Sequence, residues 1–128
     1  MEPERKSAVI VVVDDDGAIR SLFEDVFVDR GHTVSTAGSV AEGLVACAAA
    51  HPDVVIVDMK MPGGNGIGLI DALRRAPASP RIVAISGGGT EGGFDLLEKA
   101  HDAGADVTLH KPVRIDVMIE VVENLLAA

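Results

Sequence analysis

Five short apolar runs, at residues 8–13, 33–37, 54–57, 81–86 and 105–109, punctuate the chain. They are rich in Val, Ile and Thr, too short for core helices, and bounded by Gly, Pro, Asp or Ser, which is the pattern of buried strands. Between them lie segments with helical apolar periodicity, at 18–29, 39–50, 67–75, 94–103 and 114–126. Strict strand-helix alternation with continuously apolar strands implies parallel strands covered on both faces by the connecting helices. The expected fold is a doubly wound α/β protein: a five-stranded parallel sheet of order 2-1-3-4-5, in a flavodoxin-like three-layer sandwich. Ser39 with Glu42 forms a capping box, and Gly31 and Gly104 stand where helices end.

The interior must be aliphatic, because 48% of the 128 residues are hydrophobic yet there is no Trp or Tyr and only three Phe. This length fits a single domain, 1–128, with residues 1–7 as a polar N-terminal tail and no effector domain. A net charge of −9, without basic residues interleaved with aromatics, argues against direct nucleic-acid binding. The single cysteine, Cys47, rules out a disulfide within the chain and suits a buried apolar position. No apolar run approaches the roughly 20 residues of a membrane span, and no signal-peptide core follows the polar start, so a cytoplasmic location without membrane insertion is expected.

Open parallel sheets bind ligands beyond the carboxyl ends of their strands. Here those ends carry chemistry: Asp14-Asp15-Asp16 after the first run, Asp58 after the third, delivered to a loop of Met59-Lys60-Met61-Pro62 and the glycines Gly63, Gly64 and Gly66, then Ser86 at the fourth, and His110-Lys111-Pro112 at the fifth. In the expected strand order, Asp14, Asp15 and Asp58 meet at the switch point. Carboxylates so placed repel one another unless a cation intervenes. Magnesium suits an oxygen-only site, with Asp15 and Asp58 as direct ligands and Asp14 acting through water. Each feature also has a plainer account: Asp14 to Asp16 cap a helix, Ser86 forms a turn, and Lys111 is a solvated charge. Together they match phosphoryl transfer to a carboxylate, with Asp58 as nucleophile and magnesium, Lys111 and Ser86 facing the transferred group. Such a nucleophile needs no general base, so the absence of a catalytic His is no objection.

These motifs, Val12-Val13-Asp14-Asp15-Asp16, Val57-Asp58-Met59-Lys60-Met61-Pro62, Ile85-Ser86-Gly87 and His110-Lys111-Pro112, closely resemble those of bacterial two-component response-regulator receiver domains, of the chemotaxis-regulator kind. The likeness covers nearly the whole chain. It implies magnesium held by Asp15, Asp58 and the Lys60 backbone carbonyl, and phosphate accepted by Asp58 from a sensor histidine kinase or phosphotransfer protein. Ser86 would be the switch hydroxyl, and Lys111 would pair with the acidic cluster and the phosphate. The chain would be a signalling phosphoacceptor rather than an enzyme, acting on a downstream protein target.

Three features depart from the family pattern. Thr108 stands where the switch aromatic belongs, Val113 where Phe often follows Lys-Pro, and glycines crowd residues 87–93. That glycine-rich loop is read equally as a moving part and as a plain connection. On the last helix, Val113, Val117 and Val121 form a second stripe beside Ile115, Met118, Ile119, Val122, Leu125 and Leu126. It is read equally as a surface for a phosphorylation-linked homodimer and as extra burial. His32, His51, His101 and His110 show no metal-ligand spacing. Two alternatives belong to other classes. An aspartyl-phosphate hydrolase acting on external phosphoesters would place a second Asp at the position of Lys60, and a flavin-binding flavodoxin would use aromatics that this chain lacks.

Overall fold

A computed structural model describes residues 7–61, 64–87 and 93–127, with the side chains of 64, 65 and 93–95 not described. In chain order the elements are β1 (Val9–Val13), α1 (Gly17–Asp29), β2 (Thr33–Ala37), α2 (Val40–Ala50), β3 (Val54–Asp58), β4 (Lys60–Met61), β5 (Gly64–Asn65), α3 (Ile67–Arg75), β6 (Arg81–Gly87), α4 (Gly93–Ala103), β7 (Val107–Lys111) and α5 (Ile115–Ala127). Strands β2-β1-β3-β6-β7 form one sheet, and every neighbouring pair is parallel. Counted among these five alone, the order is the expected 2-1-3-4-5.

Strand alternation sorts the core into two layers. Val11, Val13, Val55, Val57, Ile82 and Ala84 point to one face and pack with α2, α3 and α4 through Cys47, Leu69, Ile70, Leu73 and Ala100. Ile10, Val12, Val54, Ile56, Val83 and Ile85 point to the other and meet Phe23 and Phe27 of α1 and Met118 and Val122 of α5. Both faces of the central strands are therefore dry, which is why β1, β3 and β6 read as unbroken apolar runs.

The termini of the elements follow local chemistry. Ser39 Oγ accepts from the Glu42 amide at 3.1 Å, while the Glu42 carboxylate reaches the Gly38 amide at 3.4 Å, so the box closes one residue earlier than the usual form. Gly31 and Gly104 follow α1 and α4 with φ of 93° and 120°.

Two expectations need correction. Strand β7 begins at Val107, not at residue 105, because the Ala105 amide still bonds back to Ala100 O at 2.9 Å; Asp106 meets Ile82 through both its amide and its carboxylate, and the strand register starts one residue on, at Val107 beside Val83. The stretch after Asp58 is not a plain loop: Lys60–Met61 pairs antiparallel with Gly64–Asn65, a two-stranded hairpin too short to leave a periodic signal. Of the second stripe on the last helix, Val113 and Val121 are half-buried against the α1/α5 core, and only Val117 is exposed. The glycine-rich loop lies largely outside the described residues. Among the described residues no helix is long and apolar enough to cross a membrane.

Candidate functional site

The register of the sheet decides which strand ends meet. Val13 is paired with Val57, so the next residues, Asp14 and Asp58, leave adjacent strands side by side. Both follow the alternation of Val12 and Ile56 towards the α1/α5 face. Lys111 shares that alternation with Leu109 on β7, and its long side chain reaches back across β6.

The result is a compact charged cluster. Lys111 Nζ donates to Asp58 Oδ2 at 3.1 Å and lies 3.6 Å from Asp14 Oδ2. Asp58 is buried, and its Oδ1 accepts the Lys60 amide at 3.1 Å. Asp14 is 1% exposed; its Oδ1 accepts the Asp16 amide at 2.9 Å, whereas Oδ2 accepts no hydrogen bond. One oxygen from each of Asp14, Asp15 and Asp58 can lie within 4.8 Å of the others.

Electrostatics reflect that crowding. Burial pushes the Asp14 carboxyl up, the charges of Asp58 and Asp15 push it further, and the Asp16 amide and Lys111 only partly offset them. For Lys111 burial pulls the ammonium down, but the hydrogen bond and charge of Asp58 and the charge of Asp14 outweigh it, so the net direction is up. The pocket has more negative charge than one lysine neutralises. Its donors are all hard oxygens, and one of them is buried without a hydrogen bond, so the residues present fit a magnesium ion.

The three aspartates after β1 divide their labour. Asp16 is the α1 N-cap, its Oδ1 accepting from the Ala18 and Ile19 amides at 2.9 and 3.4 Å, while Asp14 and Asp15 join the cluster. Ser86 is fully buried one residue beyond Ile85, the register partner of Asp58, and its Oγ makes no hydrogen bond. It is therefore near the cluster in the sheet without being tied to it. The Lys60 side chain is exposed, and Thr108 and His110 are half-buried on β7. The cis Lys111-Pro112 bond ends β7. Gly66 sits in tight packing that the sequence does not reveal: a Cβ there would lie 3.0 Å from both Met59 Sδ and Val57 Cγ2, beside the strand that carries Asp58.

The pattern that defines the family described as "Response regulator receiver domain" matches residues 10–123. The chain belongs to the response regulator receiver family. The receiver is 33% identical over 120 residues to the DNA-binding transcriptional regulator NtrC of Escherichia coli (strain K12), a match covering 93% of this chain and 25% of NtrC. It is 28% identical over 117 residues to sporulation initiation phosphotransferase F of Bacillus subtilis (strain 168), covering 91% of this chain and 92% of that protein. A crystal structure of NtrX from Brucella abortus superposes with a TM-score of 0.84 at 31% identity, over 95% of this chain and 27% of that one. The receiver thus spans about a quarter of the length of NtrC and of the NtrX chain, and nearly all of the sporulation phosphotransferase. Neither the hydrolase nor the flavodoxin alternative gains support from these likenesses.

Proposed function

We propose that this receiver accepts a phosphoryl group on Asp58 from the phosphohistidine of a sensor kinase or phosphotransfer protein. The observation that carries this reading is the buried Asp58 carboxylate, flanked by Asp14 and Asp15 and bonded to Lys111 Nζ at 3.1 Å at the carboxyl edge of a parallel sheet. A carboxylate oxygen of Asp58 forms the new P–O bond as the P–N bond to the donor imidazole breaks, and the imidazole leaves with the electron pair. Positioning and electrostatics do most of the work in such a transfer. Lys111 supplies a cation, and Ser86 supplies a buried hydroxyl with no competing hydrogen bond, available to a phosphoryl oxygen as the switch group.

A bound magnesium ion supplies charge neutralisation for the carboxylates and the phosphoryl oxygens. Asp15, Asp58 and the Lys60 backbone carbonyl would hold it, with Asp14 through water. Phosphorylation would then alter a protein-binding surface, including one for a phosphorylation-linked homodimer. Val117 on α5, 37% exposed, is the residue of the second stripe free to serve there.

The test is intact mass after incubation with magnesium and acetyl phosphate. Wild type gains one phosphoryl group and Asp58→Asn gains none; equal labelling of the two would remove Asp58 from the mechanism.

A further inference from the structure

Asp14 is held at almost every polar atom. Its amide donates to Ala37 O at 3.0 Å and its Oδ1 accepts from the Asp16 amide. Its carbonyl accepts from Arg20 Nη1 at 2.6 Å. Only Oδ2, the oxygen nearest Lys111, accepts no hydrogen bond. Arg20 reaches the end of β1 from the first turn of α1, where its own amide bonds to Asp16 O at 3.0 Å.

The guanidinium occupies a slot left by two glycines. A Cβ on Gly38 would lie 3.2 Å from Nη1, and one on Gly17 would lie 3.4 Å from Nη2. The slot thus joins three segments: the end of β1, the start of α1 and the turn between β2 and α2. Arg20 meets Asp14 at the backbone carbonyl, not at the carboxylate.

We infer that Arg20 is a positioning residue for the metal site: seated between Gly17 and Gly38, it holds the Asp14 carbonyl and thereby sets the direction of the Asp14 and Asp15 carboxylates. The inference rests on the metal-binding reading of the acidic cluster. A lysine keeps the charge but loses the planar fork that fills the slot, so Arg20→Lys separates geometry from charge. Gly38→Ala crowds the guanidinium from the opposite side, its Cβ 3.2 Å from Nη1, while residue 20 stays arginine.

Magnesium binding to wild type, Arg20→Lys and Gly38→Ala is measured by titration calorimetry without phosphodonor, together with hydrogen exchange of the Asp16 amide in metal-free protein. Supports for metal ligands are typically worth tenfold or more in affinity, so both variants are expected to bind magnesium about tenfold more weakly. Arg20→Lys also speeds Asp16 exchange relative to Val12 in the adjoining strand. Affinities within about twofold of wild type in both variants, whatever their urea stability, would overturn the role. Should wild type bind no magnesium, the metal reading fails by itself. Asp16 exchange then decides alone: faster exchange in Arg20→Lys upholds the positioning, and unchanged exchange sinks it.

Discussion

Lys111 and Asp58 meet at 3.1 Å although they stand on strands separated by β6, and the same ammonium lies 3.6 Å from Asp14. One cation therefore serves two buried carboxylates. Replacing it by Met leaves both without that cation and, on the proposed mechanism, removes a donor to the phosphoryl group. Loss of one such donor typically slows a reaction about a hundredfold, and phosphorylation of Lys111→Met by acetyl phosphate should fall on that scale. The folded-state value of Lys111 is raised, so its stabilising contribution is complete below pH 10.5 and is lost as pH rises through that higher value.

Asp14 has the opposite balance. Its carboxyl is raised above 3.8, chiefly by burial, so its neutral form favours folding below pH 3.8 and this advantage is lost as pH rises through the raised value. At neutral pH its charge opposes folding when no metal is bound. Asp14→Asn keeps an acceptor for the Asp16 amide and removes that charge, so its urea midpoint in chelator should exceed that of wild type. Magnesium at ten times its dissociation constant should add about 1.4 kcal/mol to wild type and much less to the variant.

Gly66 tests how tightly the Asp58 strand end is packed. Alanine there must displace Met59 or Val57, both fully buried, because the added Cβ would lie 3.0 Å from each side chain. Overpacking of this kind costs roughly 1–3 kcal/mol. A urea midpoint equal to that of wild type would show that the site tolerates the methyl group.

Arg74 is a staple at the opposite edge. From α3 it donates to Gly104 O, to Ser79 Oγ at 2.5 Å, to Pro80 O at 2.6 Å and to Asp106 Oδ2 at 2.7 Å, while the same Asp106 oxygen accepts the Ile82 amide at 2.7 Å. Arg74→Ala removes every bond that Arg74 donates, leaving the Ile82 amide on Asp106, and is expected to lose about 2–3 kcal/mol in urea unfolding, with phosphorylation kinetics unchanged.

Cys47 should behave as a core residue. Burial pushes its thiol up to about 11 and leaves it 6% exposed, so a disulfide reagent at pH 8 should label it only as fast as the protein opens. Fast labelling of native protein would contradict this. Its contribution to stability is intact below pH 9.0 and is lost as pH rises towards 11.

Strand positions, the two core layers and the candidate residues at the carboxyl edge were legible in the sequence because each has a local signature; the order of the strands has none and was expected from the fold class. β-branched runs that stay apolar at every position must be covered on both sides, and Asp14, Asp15, Asp58 and Lys111 sit where such runs stop. The hairpin at Lys60–Met61 and Gly64–Asn65 was not legible, since two-residue strands have no period. Nor were the partners of Arg20 and Arg74, which are set by backbone carbonyls that any residue could present.

By itself, then, the sequence determined the layered fold and the kinds of groups at its carboxyl edge, because burial periodicity and charge are properties of residue type. Tertiary structure alone decided that Asp16 caps α1 while Asp14 turns to Asp58, that Lys111 spans a strand to reach both, and that Ser86 stays unbonded. Those outcomes depend on register between strands distant in the chain, and on which buried oxygen finds a donor, and neither is written in any one segment.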